Sequence, residues 1–278
     1  MNNLTILTAP VVELKKLENL YIELTNQNCN LKCKHCYISF DFKKVKDYIP
    51  FDTIKKALKD LKDSDVKNIC LTGGEPLLHP DFNAILRTCL KHKPTIIFSN
   101  GMNINDKKAR FLKKVEDEGE NPIGFFISVD SYDERKNDDI RGRGSFRKAL
   151  GAISSLTKYN FTPTIKYTNY YLDDVNVIRA EFEHVFDRFE ICPDDVVIDI
   201  QPYFNKQINV DMPDVSSNLV QKLSCNNSRI LTAKGIYNCP MLANDYRART
   251  GSDFTSFSTK AYLETEICSQ CVDWAFSN

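Results

Sequence analysis

The chain has 278 residues, 42% hydrophobic and 27% charged, a balance that suits a folded globular protein and excludes a disordered or fibrous one. Its 37 basic residues match 37 acidic ones, so nothing electrostatic points to nucleic acid or an anionic membrane as partner. No apolar run approaches a membrane span and no leader pattern opens the chain, so it is expected to stay in the cytosol, where ten cysteines favour metal ligation over disulfides.

After a lead-in at 1–18, β-rich apolar runs alternate with segments of helical period as far as about residue 205. Strands are predicted at 20–25, 68–72, 95–99, 123–129, 162–169 and 196–203. The first helix is predicted from about residue 52, with Ile54, Ala57, Leu58 and Leu61 as its apolar stripe, and others at 80–91, 106–117, 145–159 and 174–188. Asn105 and Ser145 are the expected N-caps. Repeated βα units of this kind predict an α/β fold around a parallel sheet, spanning 19–205. Regularity is lost over 206–223, a linker with one short helical stretch at 215–223. The remaining 224–278 form a cysteine-rich module that is too small to bury much core and is expected to need a metal centre.

Cys29, Cys33 and Cys36 lie in C-x3-C-x2-C spacing just behind the first strand. Three thiolates leave one iron of a 4Fe-4S cube open to an exogenous ligand. Zinc prefers four closed ligands, and His35 is the nearby candidate for the fourth. Gly73-Gly74-Glu75-Pro76 follows the second strand, where two glycines either make a plain turn or let backbone approach a ligand, with Glu75 able to accept from an ammonium. Ser99-Asn100-Gly101 and Ser128-Val129-Asp130 end the third and fourth strands, positions that bind ligands or merely cap helices. Arg141 has the planar fork that fits a carboxylate, unless it is a surface charge. Cys225, Cys239, Cys268 and Cys271 make a second, closed metal site, for which iron-sulfur and zinc both qualify. Cys70 and Cys89 read as buried hydrophobes and Cys192 as structural.

The cysteine triplet with Tyr37 behind it, the Thr72-Gly73-Gly74-Glu75-Pro76 run and the βα repeat resemble the radical S-adenosylmethionine (SAM) superfamily over roughly 17–205. The resemblance implies a partial (β/α)6 barrel with Cys29, Cys33 and Cys36 holding a 4Fe-4S cluster at the C-terminal ends of the strands. It further implies that Tyr37, Gly73, Gly74, Glu75, Ser99, Asn100, Ser128, Asp130 and Arg141 meet SAM or the substrate, with Arg141 on the SAM carboxylate. The segment 139–146 is similar to the SPASM and twitch branch, and the last four cysteines resemble a twitch module with an auxiliary 4Fe-4S cluster, although the spacing from Gly235 to Cys239 is a residue short. The implied activity is reductive cleavage of SAM and hydrogen abstraction from a substrate carbon, with net oxidation and a reductant such as flavodoxin or ferredoxin. The short lead-in favours a small metabolite such as a sugar or cyclitol. A ribosomal peptide or protein side chain is the alternative substrate, and a non-enzymatic iron-sulfur protein the alternative class. Substrate-facing groups are sought among Lys166, Tyr167, Asn169, Asp199, Gln201 and Tyr203, half of which strand alternation turns outward.

Overall fold

The computed structural model of the chain describes residues 9–38, 47–205 and 222–277. Its strands are β1 (Val11–Glu13), β2 (Asn19–Thr25), β3 (Asn68–Gly73), β4 (Thr95–Ser99), β5 (Ile123–Ser128), β6 (Thr164–Asn169), β7 (Val197–Pro202), β8 (Ser228–Thr232), β9 (Gly235–Tyr237), β10 (Arg249–Gly251) and β11 (Lys260–Tyr262). Its helices are α1 (Phe51–Asp60), α2 (Phe82–Leu90), α3 (Asp106–Asp117), α4 (Glu134–Arg141), α5 (Ser145–Thr157), α6 (Val175–Arg188) and α7 (Glu266–Ser277).

The six predicted strands are β2 to β7, joined side by side in chain order and all parallel. Each crossover carries at least one helix, as a parallel connection requires. Leu20, Ile22 and Leu24 of β2 alternate into the main core with Ile54 and Leu58 of α1, while Tyr21 turns to the opposite face and meets the ring of Phe98 on β4 at 5.7 Å. The sheet therefore has an outer face under helices and an inner face free to hold a site.

The sheet continues past the barrel strands. β8 pairs in parallel with β2, and β9 and β10 follow antiparallel, so the cysteine-rich segment is hydrogen-bonded to the barrel through β2. β1 in turn pairs with β11, tying the lead-in to that segment. A second core of Val12, Leu223, Ile230, Leu242, Leu263 and Val272 fills the space between them. The helical stretch expected at 215–223 lies outside the described residues except for its last two positions.

Two local expectations change. Asn105 caps α3 as predicted, accepting from Lys108 N at 2.9 Å. Ser145 does not cap α5: Gly144 occupies that position with φ +81°, and the Asp138 carboxylate accepts from Gly144 N at 2.5 Å and Phe146 N at 2.9 Å. A carboxylate reaching across from α4 satisfies the donors that a serine cap would otherwise take. α4 itself was not foreseen. Its sequence, Glu134 to Arg141, buries only Asn137, Ile140 and Arg141, so it shows no apolar stripe to recognise.

Candidate active site

The cysteine loop leaves the C-terminal end of β2 and lies against the ends of β3, β4 and β5. Close approach explains the Gly73-Gly74 pair. A Cβ on Gly73 would stand 2.4 Å from Thr25 O, and one on Gly74 would stand 2.3 Å from Asn28 O and 3.3 Å from Cys29 Cβ. The glycines thus let β3 dock against the cysteine loop. Their neighbours bond the same way, with Gly74 N donating to Thr25 O at 2.7 Å and Glu75 N to Asn28 O at 3.0 Å.

Glu75 is 0% exposed. It accepts from Leu77 N at 3.2 Å, Ser99 Oγ at 3.0 Å and Asn100 N at 2.9 Å. Burial pushes its carboxyl up to about 7 against the pull of these three donors. The expected partner for Glu75 was an ammonium; in the structure both of its oxygens serve the chain's own donors and clasp the ends of β3 and β4. Asn100 then reaches the cysteine loop, its Nδ2 donating to Asn30 Oδ1 at 2.7 Å and lying 3.7 Å from Cys29 Sγ. Leu31 N also donates to Cys29 Sγ, at 3.4 Å. Tyr37 bonds Thr72 near the end of β3.

Arg141 is buried, not a surface charge, and comes from the last turn of α4. Its Nη2 donates to Asp130 Oδ1 at 3.1 Å, Nε lies against Asp130 Oδ2, and Nη1 stands 3.9 Å from Cys33 Sγ. Asp130 is 0% exposed and also takes His35 Nε2 at 2.5 Å and Thr168 N at 3.2 Å. Burial pushes the Asp130 carboxyl up, but Arg141 and His35 more than offset it and hold it down at about 2. Burial raises the Cys33 thiol while the Arg141 charge lowers it, and burial takes Cys29 to about 11. The site thus directs N–H donors and one guanidinium at the sulfurs of Cys29 and Cys33, which is what a thiolate ligand set requires.

On the inner face of β6 and β7 the register pairs Lys166 with Asp199 and Thr168 with Gln201. Lys166 Nζ bonds Asp199 and sits 5.3 Å from the Phe126 ring centroid. Beyond the strand ends Tyr170 and Tyr203 bring their rings to 4.9 Å, and each ring lies 6.1 Å from that of His35. Lys166 is also the register partner of Ser128 on β5, so this wall begins at the height of that serine. Tyr167 turns outward against Phe182, and Asn169 closes its own loop onto Asp173.

Cys225, Cys239, Cys268 and Cys271 line one pocket with Asn238, Leu263 and Val272. Burial raises the thiols of Cys225, to about 12, of Cys239, and of Cys271, to about 11. Arg229 was missed from sequence. It is fully buried and donates to Cys225 O and Ser228 O, each at 2.7 Å, and to Thr259 O at 2.6 Å. Among the described residues no three of His, Cys, Asp or Glu close to the spacing that holds a single metal ion. No helix among them is long and apolar enough to cross a membrane.

Residues 24–188 match the family model described as the radical SAM superfamily. The antilisterial bacteriocin subtilosin biosynthesis protein AlbA of Bacillus subtilis (strain 168) is 33% identical over 139 residues, 49% of this chain and 30% of that one. GTP 3',8-cyclase of Campylobacter jejuni (strain RM1221) is 28% identical over 144 residues, 50% of this chain and 43% of that one. Among solved structures, Streptococcus suis SuiB bound to precursor peptide SuiA has a TM-score of 0.65 at 14% identity, covering 86% of this chain and 63% of that chain. The chain spans less than half the length of these two curated relatives.

Proposed function

Because the chain belongs to the radical SAM superfamily, we propose that it binds a 4Fe-4S cluster through Cys29, Cys33 and Cys36, cleaves SAM, and oxidises a carbon of a peptide substrate. The observation that carries this reading is the set of donors aimed at the cysteine sulfurs: Leu31 N and Asn100 Nδ2 on Cys29, and Arg141 Nη1 on Cys33. When bound, the cluster supplies the electron that splits SAM into methionine and a 5'-deoxyadenosyl radical. The chain's own residues do the rest. Arg141, Ser128 and the strand-end polar groups orient SAM over the loop, and the wall of Lys166, Asp199, Tyr170 and Tyr203 orients the substrate against it.

Cys225, Cys239, Cys268 and Cys271 are proposed to hold a second 4Fe-4S cluster, which when bound offers a sink for the electron left on the substrate. Support for iron over zinc comes from the company: the four cysteines line one pocket and follow a radical SAM core. The expectation of a small metabolite rested on the short lead-in, which says little for a chain that spans 30% of AlbA's length. The likeness to a bacteriocin biosynthesis protein supports the peptide alternative instead. The test is anaerobic incubation with dithionite, SAM and candidate precursor peptides encoded nearby. A peptide that loses two hydrogens while 5'-deoxyadenosine accumulates supports the reading; oxidation of a sugar or nucleoside, with the peptides untouched, overturns its substrate.

A further inference from the structure

His35 lies between two cysteines of the loop, and its ring reaches the residues that follow β5. Its Nε2 is 2.5 Å from Asp130 Oδ2, with the His35 side chain 10% exposed and that of Asp130 0% exposed. The same carboxylate takes Arg141, which stands 3.9 Å from Cys33 Sγ. The loop is thus tied to α4 through one buried carboxylate. The outer ties are backbone and solvent-exposed: Lys34 N donates to Ile140 O at 2.9 Å, and Lys34 Nζ pairs with Asp139 at 2.6 Å. An ionised carboxylate only accepts, so it needs donors on both sides, and His35 and Arg141 are the side chains that supply them.

We propose that His35 is a positioning residue whose N–H, through Asp130, holds the Arg141 fork at the cysteine loop and so couples cluster uptake to SAM binding. The role belongs to the donor and not to the aromatic ring, although the ring also touches Tyr170 and Tyr203. Without the donor, Asp130 has one side chain to balance it and its orientation relaxes, and with it the angle of the guanidinium it carries. The inference rests on the assignment of Cys29, Cys33 and Cys36 to the cluster and of Arg141 to SAM.

Two replacements separate donor from ring. His35→Gln keeps an N–H of similar reach and loses the ring, whereas His35→Phe keeps the ring and loses the N–H. Each reconstituted variant is titrated with SAM and read by the electron paramagnetic resonance signal of the reduced cluster, with iron and sulfide counted first. The expected result is SAM affinity within about threefold of wild type for His35→Gln and at least about tenfold weaker for His35→Phe, the loss of roughly one charge-assisted hydrogen bond's worth of orientation. If His35→Phe fails to take up the first cluster while His35→Gln succeeds, the same donor dependence is seen one step earlier. Equal behaviour of the two variants at either level, or a weaker His35→Gln, overturns the proposal. Failure of the wild type itself to bind iron or SAM would count against the function proposed above and not against this coupling.

Discussion

At the scale of single residues, Asp130 is where most of the site's electrostatics meet. Its carboxyl is held at about 2, below the usual value near 3.9, so the fold favours the ionised form. The contribution is fully present above about pH 4 and disappears as pH falls through about 2, amounting to about 2–3 kcal/mol by linkage. Denaturant unfolding of wild type and Asp130→Asn should therefore converge as pH falls from about 5 to 2; curves that stay parallel would remove the carboxylate from the ledger. Arg141→Ala leaves that carboxylate buried without its guanidinium partner, and should lower unfolding free energy by about 3–5 kcal/mol. A loss under about 1 kcal/mol would mean that water reaches Asp130. The sequence made the cysteines, the Gly-Gly run and Arg141 visible because their residue types carry the chemistry themselves. It did not make the Asp130 hub visible, because Asp130, His35 and Arg141 are joined only when β5, the cysteine loop and α4 fold together.

At the scale of elements, the docking of β3 on the cysteine loop gives the sharpest test. Gly74→Ala puts a methyl 2.3 Å from Asn28 O and 3.3 Å from Cys29 Cβ, and the nearer atom is backbone with no rotamer to yield. Uptake at the first site should be lost while the second site, held by α7 and the β8 to β9 region, keeps its iron. Normal cleavage of SAM by Gly74→Ala would show that the loop has slack. Strands β2 to β7 were readable because each presents an apolar outer face and alternates with segments of helical period. β1 and β9 to β11 were not, since three-residue strands are too short for alternation to appear. α4 escaped for a different reason: Ile140 is its one apolar residue, so it shows no apolar stripe, and Arg141 and Asn137 are buried beside it.

At the scale of the whole molecule, a sheet that has nine strands among the described residues carries both cysteine sets, the triplet behind β2 and the four final cysteines beside β8 and β9. The pairing of β8 with β2 makes the second set an extension of the barrel, so damage there should remain local if the barrel core is sufficient. Replacing Cys268 and Cys271 together by serine should drop iron from about eight to about four per chain, leaving 5'-deoxyadenosine formation but little oxidised product. Loss of all iron would instead make the second site a prerequisite for folding. The measurement that bears most directly on the central claim is made on the first set. Wild type and Cys29→Ala, Cys33→Ala and Cys36→Ala, each reconstituted anaerobically and reduced with dithionite in the presence of SAM, are assayed for 5'-deoxyadenosine. The account predicts that wild type forms it and that all three variants form none while retaining about four irons at the second site. Undiminished 5'-deoxyadenosine from any one of the three would contradict it.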